Sequence, residues 1–451
     1  MSSPEPATPA DDILPSLIEH ALKAGADAAE AILSEREALS VGVRNSALEE
    51  VEREESRDLS LRVFVGRRQA VVSSSSLSAD ARRRLVERAV AMAALAPEDP
   101  FGGLADASDL AVGPFPDLDL HDATERSPEA LEATARATEA AALAIAGVSR
   151  SEGADAAWSR GRWRLVTSEG FDAARQHSRF SLSASVIAEK DGVMERAGEG
   201  RAVRHLSDLI GPGDLGRRVG ERAAAKIGAR KIGSTTAPVI FENRIAAALL
   251  SPLLGAVSGP SVARGTSFLK DRLGQRVLPE GVSLLDDPFR PRGLGSTPFD
   301  DEGVRVAARA IVEDGVIATW LLNTASARQL GLRSTGHGAR GSAGPAGVSV
   351  HNAHLTPGRN DLAGLMAQAD RGLLVTGMFG PSLNANTGDW SAGVNGFWFE
   401  GGDIVHPVSE VTVAGNLTDL YARLVPGADL EFHDALNSPS LLFDAVAIAG
   451  K

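Results

Sequence analysis

Histidines are the first residues to test for chemistry, because a neutral imidazole can bind a metal ion or accept a proton near neutral pH. None of the nine histidines begins the His-Glu-x-x-His pattern, which places two imidazoles and a general base on one helical face. His351 and His354 form the pattern H-x-x-H, but their segment is predicted to be extended and ends in Pro357-Gly358, so the two rings would not share a helical face. The sequence therefore favours a polar loop here over a metal site.

Three other patterns could carry chemistry, and each has an ordinary structural explanation. The glycine-rich stretches Gly336-His337-Gly338 and 341–344 are similar to phosphate loops, but neither opens a clear helix after a buried strand. No G-x-S-x-G turn marks a nucleophilic serine, so we name no Ser/His/Asp triad. The pairs Asp286-Asp287 and Asp300-Asp301 lie near prolines in predicted loops, where capping and turn formation are the favoured roles.

Composition and charge exclude several further classes of function. The 451 residues include no cysteine, which excludes disulfides, thiolate nucleophiles and cysteine-ligated metals. The formal charge of −13 opposes nucleic-acid binding, because such binding needs clustered Lys and Arg against the phosphates. No run approaches the roughly 20 apolar residues of a membrane span, and the Pro-rich, acidic N-terminus has no signal-peptide pattern. We therefore expect a cytoplasmic protein with a disordered leader over residues 1–10 and with neither nucleic acid nor membrane as a partner.

Residues 11–230 are predicted to form an α+β N-terminal domain. Apolar residues alternate with polar ones in predicted strands within residues 28–76, and a helical pattern follows. A similar strand-hairpin-helix order returns later, with predicted strands over 156–159 and 163–167 joined across Gly161. This order predicts helices packed on a mostly antiparallel sheet.

Residues 231–451 are predicted to form a second domain. It begins with a strand over Thr235–Phe241 and a helix over Asn243–Val257. Glycines, prolines and short β-patterned runs then dominate, and Asp314-Gly315 and Gly401-Gly402-Asp403 are strong hairpin signals. The sequence therefore predicts a C-terminal, mostly antiparallel β-domain with a few helices.

This second domain contains a series of distinctive segments, in this order: Asp286–Pro288, Gly293–Val304, Ile311–Gly331, Ser334–Gly336, Leu355–Gly358, Asn386–Ile404 and Pro407–Leu417. In both order and spacing they resemble the C-terminal domain of the TldD/PmbA ("modulator of DNA gyrase") family. The resemblance spans about residues 230–450.

The resemblance implies a two-subunit zinc peptidase that degrades or trims unfolded or extended peptides. In that family the TldD-type subunit carries a His-Glu-x-x-x-His helix and a distant Cys, which supply zinc ligands and a general base. Here Ser251, Pro252 and Ala256 stand at the positions of the first His, the Glu and the second His, and the chain has no Cys. The resemblance therefore implies a PmbA (TldE)-type subunit without catalytic residues or a metal of its own, with zinc only in a TldD-like partner.

The polar segment from Asn384 to Gly396 keeps a family-like N-x-x-TGD-x-S pattern although the metal positions are lost. We expect it to help bind an extended peptide by strand addition. The candidate contacts are Asn384, Asn386, Asp389, Trp390 and Ser391. The alternative is that these residues only satisfy turns and cap a strand, because Asn, Gly and Asp are common turn formers.

Two classes of function remain open. In the first, the chain forms a heterodimer with a TldD-like zinc subunit and modulates gyrase only indirectly, through peptides. In the second, it is a stand-alone homodimeric regulator that binds peptides or proteins without hydrolysing them. Co-purification with a His-Glu-x-x-x-His subunit that confers zinc-dependent cleavage would separate the two. An autonomous hydrolase would instead show activity that resists chelators.

Overall fold

The computed structural model describes residues 10–341 and 344–450. The predicted disordered leader, residues 1–10, lies outside the described residues except for Ala10, where the first helix begins. No helix in the described stretches is both long and apolar enough to pass through a bilayer. The predicted α+β class is confirmed, because helices pack on sheets whose strands pair mainly antiparallel.

Residues 28–203, all of them described, build a six-stranded antiparallel sheet with the strand order β3-β2-β1-β4-β5-β6. Both predicted strand-hairpin-helix units therefore contribute to one continuous sheet. The elements of this half are α1 (Ala10–Lys23), β1 (Ala28–Arg44), β2 (Ala47–Val65), β3 (Arg68–Ser74), α2 (Ala79–Leu95), α3 (Pro128–Leu143), β4 (Val148–Thr167), β5 (Asp172–Lys190), β6 (Val193–Val203) and α4 (Pro212–Ala225).

The two faces of this sheet have different partners, because successive side chains of a strand point to opposite sides. On β1, Ala31 belongs to the core beneath α1 and α2, and Val41 belongs to the core beneath α3 and α4. Ile32 points the other way and packs in a cluster with Trp163 and with Phe299 from the second half of the chain. The sheet is therefore a layer between the helices and the C-terminal half.

The predicted break at Gly161 is wrong, because β4 runs through it without interruption. The glycine has a packing role instead. Gly161 pairs with His177 on β5, and a Cβ atom at Gly161 would lie 2.7 Å from the imidazole Cε1 of His177. The strand therefore uses glycine to admit the neighbouring ring, so a glycine inside an alternating pattern does not by itself mark a turn.

Buried charges join the two halves of the chain. The carboxylate of Glu30 on β1 accepts a hydrogen bond from Arg62 on β2 (3.1 Å) and another from Arg340 in the C-terminal half. The three side chains are between 1% and 4% exposed. Removing one member would leave the others charged and buried, so this cluster fixes the relative position of the halves.

The C-terminal half contains a closed ring of strands, because β7, β14, β15, β16 and β19 pair in sequence and β19 pairs back to β7. Most pairs are antiparallel, as predicted, and β7 with β14 is a parallel exception. The elements are β7 (Thr235–Phe241), α5 (Asn243–Ala256), α6 (Gly259–Ala263), β8 (Leu284–Asp286), β9 (Arg309–Glu313), β10 (Val316–Ile317), α7 (Thr324–Gln329), β11 (Gly338–Ala339), β12 (Gly347–Val348), β13 (Ala353–Leu355), α8 (Leu362–Ala369), β14 (Arg371–Leu383), β15 (Asp389–Glu400), β16 (Asp403–Asn416), α9 (Leu417–Tyr421), β17 (Val425–Pro426), β18 (Leu436–Asn437) and β19 (Leu441–Ala449).

One edge of β14 is only partly paired. β14 pairs with β15 on one side along most of its length, but with β7 on the other side only over Leu373–Val375. Beyond Val375, no strand in the described residues covers this side of β14. Helix α5 follows directly after β7 and packs near this part of β14. An open strand edge therefore lies beside α5.

Candidate functional site

Helix α5 is the element at which the sequence predicted the degenerate metal positions. Its inner face is apolar at helical spacing, with Ala246, Leu249, Leu250 and Leu253 buried in the C-terminal core. The buried hydroxyl of Tyr421 donates a hydrogen bond to the Leu249 carbonyl (2.6 Å). These contacts fix the helix axis and turn its other face toward the strand hairpin β14–β15.

That outer face lines a cavity of about 540 Å³. Ser251, Pro252 and Ala256, which the sequence placed at the former metal positions, all line it. Trp390, a predicted peptide contact, lines it from β15. The other lining residues are Ala248, Gly255, Ser261, Thr266, Phe268, Met378, Pro381, Leu383 and Ala385. We call this space the α5 cavity. Its size and apolar walls are typical of a site for a small ligand or a side chain.

The residues of the α5 cavity do not fit a zinc ion. Zinc in proteins is held by imidazole, thiolate or carboxylate groups. The lining, which lies wholly in the described part of the chain, offers no such group, and its only side-chain oxygens are the hydroxyls of Ser251, Ser261 and Thr266. The cavity also provides no carboxylate that could act as a general base toward water. What the arrangement can do is hold an apolar side chain.

The predicted contacts on the β14–β15 connection separate into two groups. Asn384, Asn386 and Asp389 lie at the exposed tip and bond to one another locally. Asp389 accepts hydrogen bonds from the hydroxyl of Thr387 (2.7 Å) and from the side-chain amide of Asn416 (3.0 Å). These bonds, that of Thr387 first, lower the pKa of Asp389. The tip is thus a hydrogen-bonded turn, and its contact with a peptide stays a prediction.

Trp390 and Ser391 lie on β15 rather than at the tip. Trp390 is 5% exposed and packs against Phe241 with the ring centroids 6.2 Å apart in an edge-to-face arrangement. Ser391 is half-buried and pairs with Ser382 and with Ala414 on the neighbouring strands. Of the five predicted contacts, Trp390 is the one that the structure brings to the α5 cavity.

A second cluster was missed by the sequence analysis. The carboxylate oxygen Oδ2 of Asp286 accepts a hydrogen bond from Nδ1 of His351 (2.7 Å) and another from Nε2 of His337 (3.1 Å). Its other oxygen accepts the backbone N–H of His351 (2.9 Å). All three side chains are buried, and their ligand atoms lie within 4.8 Å of one another. His354 lies apart from this cluster and packs against Phe432.

The prediction of a polar loop at His351 is therefore incomplete, because His351 lies on a loop but is buried against a carboxylate. The segments meet because β8, which ends at Asp286, pairs with β13 just after His351. His337 and His351 follow Asp286 by 51 and 65 positions in the sequence. Each lacked a local signal: Asp286 precedes another Asp and a Pro, and His337 stands between glycines. The β8–β13 pairing brings Asp286 to His351, and the β11–β12 pairing with the hydrogen bond from the Ser349 N–H to the His337 carbonyl positions His337.

Hydrogen bonding explains the electrostatics of this cluster. The hydroxyl of Thr335 lies 2.8 Å from Nδ1 of His337 and accepts the N–H of Leu322, so its proton is available to Nδ1. His337 then donates from Nε2 to Asp286. Burial lowers the pKa of His337, which favours this neutral form. Burial opposes the charge on Asp286, but the bonds from both histidines lower its pKa well below the usual range. Imidazole nitrogens and a carboxylate oxygen can bind a divalent metal, but here these atoms are already hydrogen-bonded to one another.

Matches to known protein families cover most of the chain. Residues 29–93 match domain 1 of the PmbA/TldA metallopeptidases, residues 114–227 match their central domain, and residues 234–450 match their C-terminal domain. The α5 cavity and the Asp286 cluster both lie within the C-terminal match.

Individual proteins agree with these matches. The chain is 38% identical to the metalloprotease PmbA of Escherichia coli O157:H7, covering 94% of this chain and 93% of that protein. It is 36% identical to a PmbA homologue of Haemophilus influenzae over 96% and 94% of the two chains. A solved structure described as a modulator of DNA gyrase from Bacteroides thetaiotaomicron has a TM-score of 0.90, 27% identity and coverage of 98% and 99%. TldE from Thermococcus kodakarensis, at 23% identity, shares the fold with a TM-score of 0.86 over 97% and 99%. The chain belongs to the PmbA/TldD metallopeptidase family.

Proposed function

We propose that this chain is a peptide-binding subunit that holds no zinc of its own and assembles with a TldD-like zinc peptidase subunit. The observation that carries this proposal is the chemistry of the α5 cavity. Ser251, Pro252 and Ala256 line it where a metal-binding member of the family would need two imidazoles and a carboxylate. Methyl, methylene and hydroxyl groups cannot hold a hydrolytic zinc ion, so zinc-dependent cleavage at this cavity would need a metal site supplied by another chain.

The retained part of the site suits an extended peptide. The unpaired edge of β14 beyond Val375 offers backbone N–H and C=O groups for strand addition. The apolar α5 cavity lies next to this edge and receives Met378 and Leu383 from the same strand. A peptide laid along β14 would gain main-chain hydrogen bonds from the edge and would place an apolar side chain in the cavity.

The proposal is tested with the full chain alone and with its TldD-like partner. We expect the isolated chain to contain zinc well below one ion per molecule and to show no chelator-sensitive cleavage of unfolded peptides. The co-purified complex should contain zinc and cleave peptides, and EDTA should abolish that cleavage. A tightly held zinc with EDTA-sensitive proteolysis in the isolated chain would overturn the proposal. A stable homodimer that binds peptides but never captures the partner would support the stand-alone regulator instead.

Alanine substitutions at the hairpin tip test its part in the site. We expect Asn386→Ala and Asp389→Ala to lower peptide turnover by the assembled complex, because the tip borders the α5 cavity at Ala385. Both residues are exposed, so the fold should tolerate the changes. Unchanged turnover by a normally assembled complex would remove the tip residues from the site and leave them a turn-forming role.

A further inference from the structure

A second and larger cavity adjoins the site just described. It has a volume of about 1080 Å³ and lies between β6 and α4 on one side and the start of α5 with β14 and β15 on the other. We call it the interdomain cleft. Met378 lines both the interdomain cleft and the α5 cavity, so the two spaces meet at this side chain.

Helix α5 forms a continuous wall for both spaces. Arg244 and Ile245 line the interdomain cleft, and Ala248, Ser251 and Gly255 line the α5 cavity. These positions recur every three or four residues and therefore lie on one helical face. The helix has 14 residues, so this face is about 20 Å long at 1.5 Å per residue. An extended peptide of about six residues spans that length.

Six basic side chains line the interdomain cleft, although the chain as a whole is acidic. The basic side chains that line it are Arg196, Arg201, Arg218, Arg222, Lys226 and Arg244. Only three carboxylates line it with them, those of Glu221, Glu242 and Glu431. Buried Glu199 pairs with Arg201 (2.6 Å) and with Arg222, and Glu242 pairs with Arg244 (2.7 Å). Arg196 also pairs with Glu152 (2.5 Å), so most of these cations already have an acidic partner, and an incoming anion would be attracted mainly where a cation has none.

Arg196 is also exposed but pairs with Glu152, whereas Arg218 is an exposed cation of this set without an acidic partner among the described residues. Arg218 lies on α4 and faces the cleft. The positive charge of Arg218 repels that of the neighbouring Arg201. Burial, followed by the charges of Arg244 and Arg218, lowers the pKa of Arg201. An incoming anion would relieve this repulsion, which favours binding of negative charge at this point.

Two buried polar atoms of residues that line the cleft also lack a hydrogen-bond partner among the described residues. They are the Oγ1 atom of Thr376 and the Oδ1 atom of Asn395. Both residues line the cleft, on β14 and β15. Leaving a buried polar atom unpaired is unfavourable, so a rearrangement of β14 and β15 that exposes either oxygen to a peptide N–H would favour binding.

We infer that the interdomain cleft and the α5 cavity form one groove, which selects extended peptides carrying a carboxylate at the cleft end and an apolar side chain at the α5 end. This inference rests on the proposed peptide-binding function and adds the substrate class. The carboxylate comes either from an acidic side chain or from the C-terminus of the peptide, since both present the same group to Arg218 and its neighbours. The unpaired edge of β14 aligns the main chain between the two ends.

The test compares fluorescent peptides of one apolar sequence with Glu-Glu or Gln-Gln at either end, each as a free acid and as a C-terminal amide. Affinity is measured with the full chain alone and in the partner complex. We expect at least a tenfold tighter Kd for an acidic peptide than for its glutamine counterpart, and a smaller ratio at high salt. If amidation rather than glutamine substitution removes the preference, the terminal carboxylate is the recognised group.

Arg218→Gln should reduce the acidic preference at least threefold without changing the affinity for the neutral peptides. Arg217→Gln is the matched control, because Arg217 is the neighbouring exposed arginine on α4, pairs with Asp214 and does not line the cleft. Equal affinities for acidic and neutral peptides in the unsubstituted protein, or equal effects of the two substitutions, would overturn the inference. If the inference is overturned but the complex still cleaves neutral peptides, the proposed function is retained. Failure of every peptide to bind would reject both.

Discussion

Replacement of Ser251 by tryptophan is expected to lower peptide turnover by the assembled complex at least tenfold. Ser251 is exposed on α5 and its side chain faces the α5 cavity, so an indole at this position would occupy the space that we propose for an apolar peptide side chain. The helix should persist, since tryptophan has a helix propensity similar to that of serine. The effect should appear as weaker peptide binding, measured by anisotropy, as well as slower cleavage.

The control for this substitution is Ala91→Trp, which adds an indole to an exposed position of α2 far along the chain from the site. We expect this variant to bind and support cleavage like the unsubstituted protein. Thermal unfolding and partner co-purification should be the same for both variants. If Ser251→Trp folds, assembles and still supports full turnover, then the α5 cavity is not part of the peptide path.

Replacement of Asp286 by alanine is expected to reduce the free energy of unfolding by about 3–5 kcal/mol, because three buried donors would each lose an acceptor at about 1–3 kcal/mol. The substitution leaves His337, the ring of His351 and the backbone N–H of His351 without their buried acceptor. This loss is a large fraction of the stability of a typical domain. Denaturant unfolding measures it directly.

The stability lost on replacing Asp286 should depend on pH and should be smaller in acid. Hydrogen bonding lowers the pKa of Asp286 in the folded chain below its unfolded value, near 4. Its contribution is therefore fully present above pH 4 and is lost as the pH falls toward the lower, folded-state pKa. The stability difference between the unsubstituted protein and Asp286→Ala should be largest near neutral pH and should shrink in acid.

Asp287→Asn is the matched control, because Asp287 is the next residue, is half-buried and, among the described residues, accepts a hydrogen bond with its side chain only from the N–H of Phe289. We expect it to cost less than about 1 kcal/mol. The same proteins also test for a metal at this cluster. One zinc ion per isolated chain that disappears on Asp286→Ala would contradict both the hydrogen-bonded interpretation and the proposed metal-free role.

Local patterns predicted the elements of the fold well where periodicity was strong. The predicted strand Thr235–Phe241 has the bounds of β7, and the predicted helix Asn243–Val257 ends one residue after α5. These agreements have a physical reason, since the alternation of buried residues and the spacing of the helical face are set within each segment. The prediction of a strand break at Gly161 failed because the glycine is needed to leave space for the His177 ring on the neighbouring strand.

The sites were harder to predict because they depend on long-range pairing. Family resemblance pointed to Ser251, Pro252 and Ala256, and the structure brings all three to one cavity with Trp390. Nothing local indicated that Asp286, His337 and His351 would meet, because β8 and β13 must pair first. Arg218 and its basic neighbours likewise come from separate elements, so the net charge of this acidic chain did not indicate that basic side chains would cluster.

Pro381 gives the open side of β14 a further consequence. Proline has no N–H to donate, and the pairing of β14 with β15 shifts register between Phe379 and Ser382, close to this residue. An uninterrupted free edge would invite copy after copy to stack into a fibril. The interruption limits any added strand to a short length, which would hinder copies of the chain from stacking along this edge.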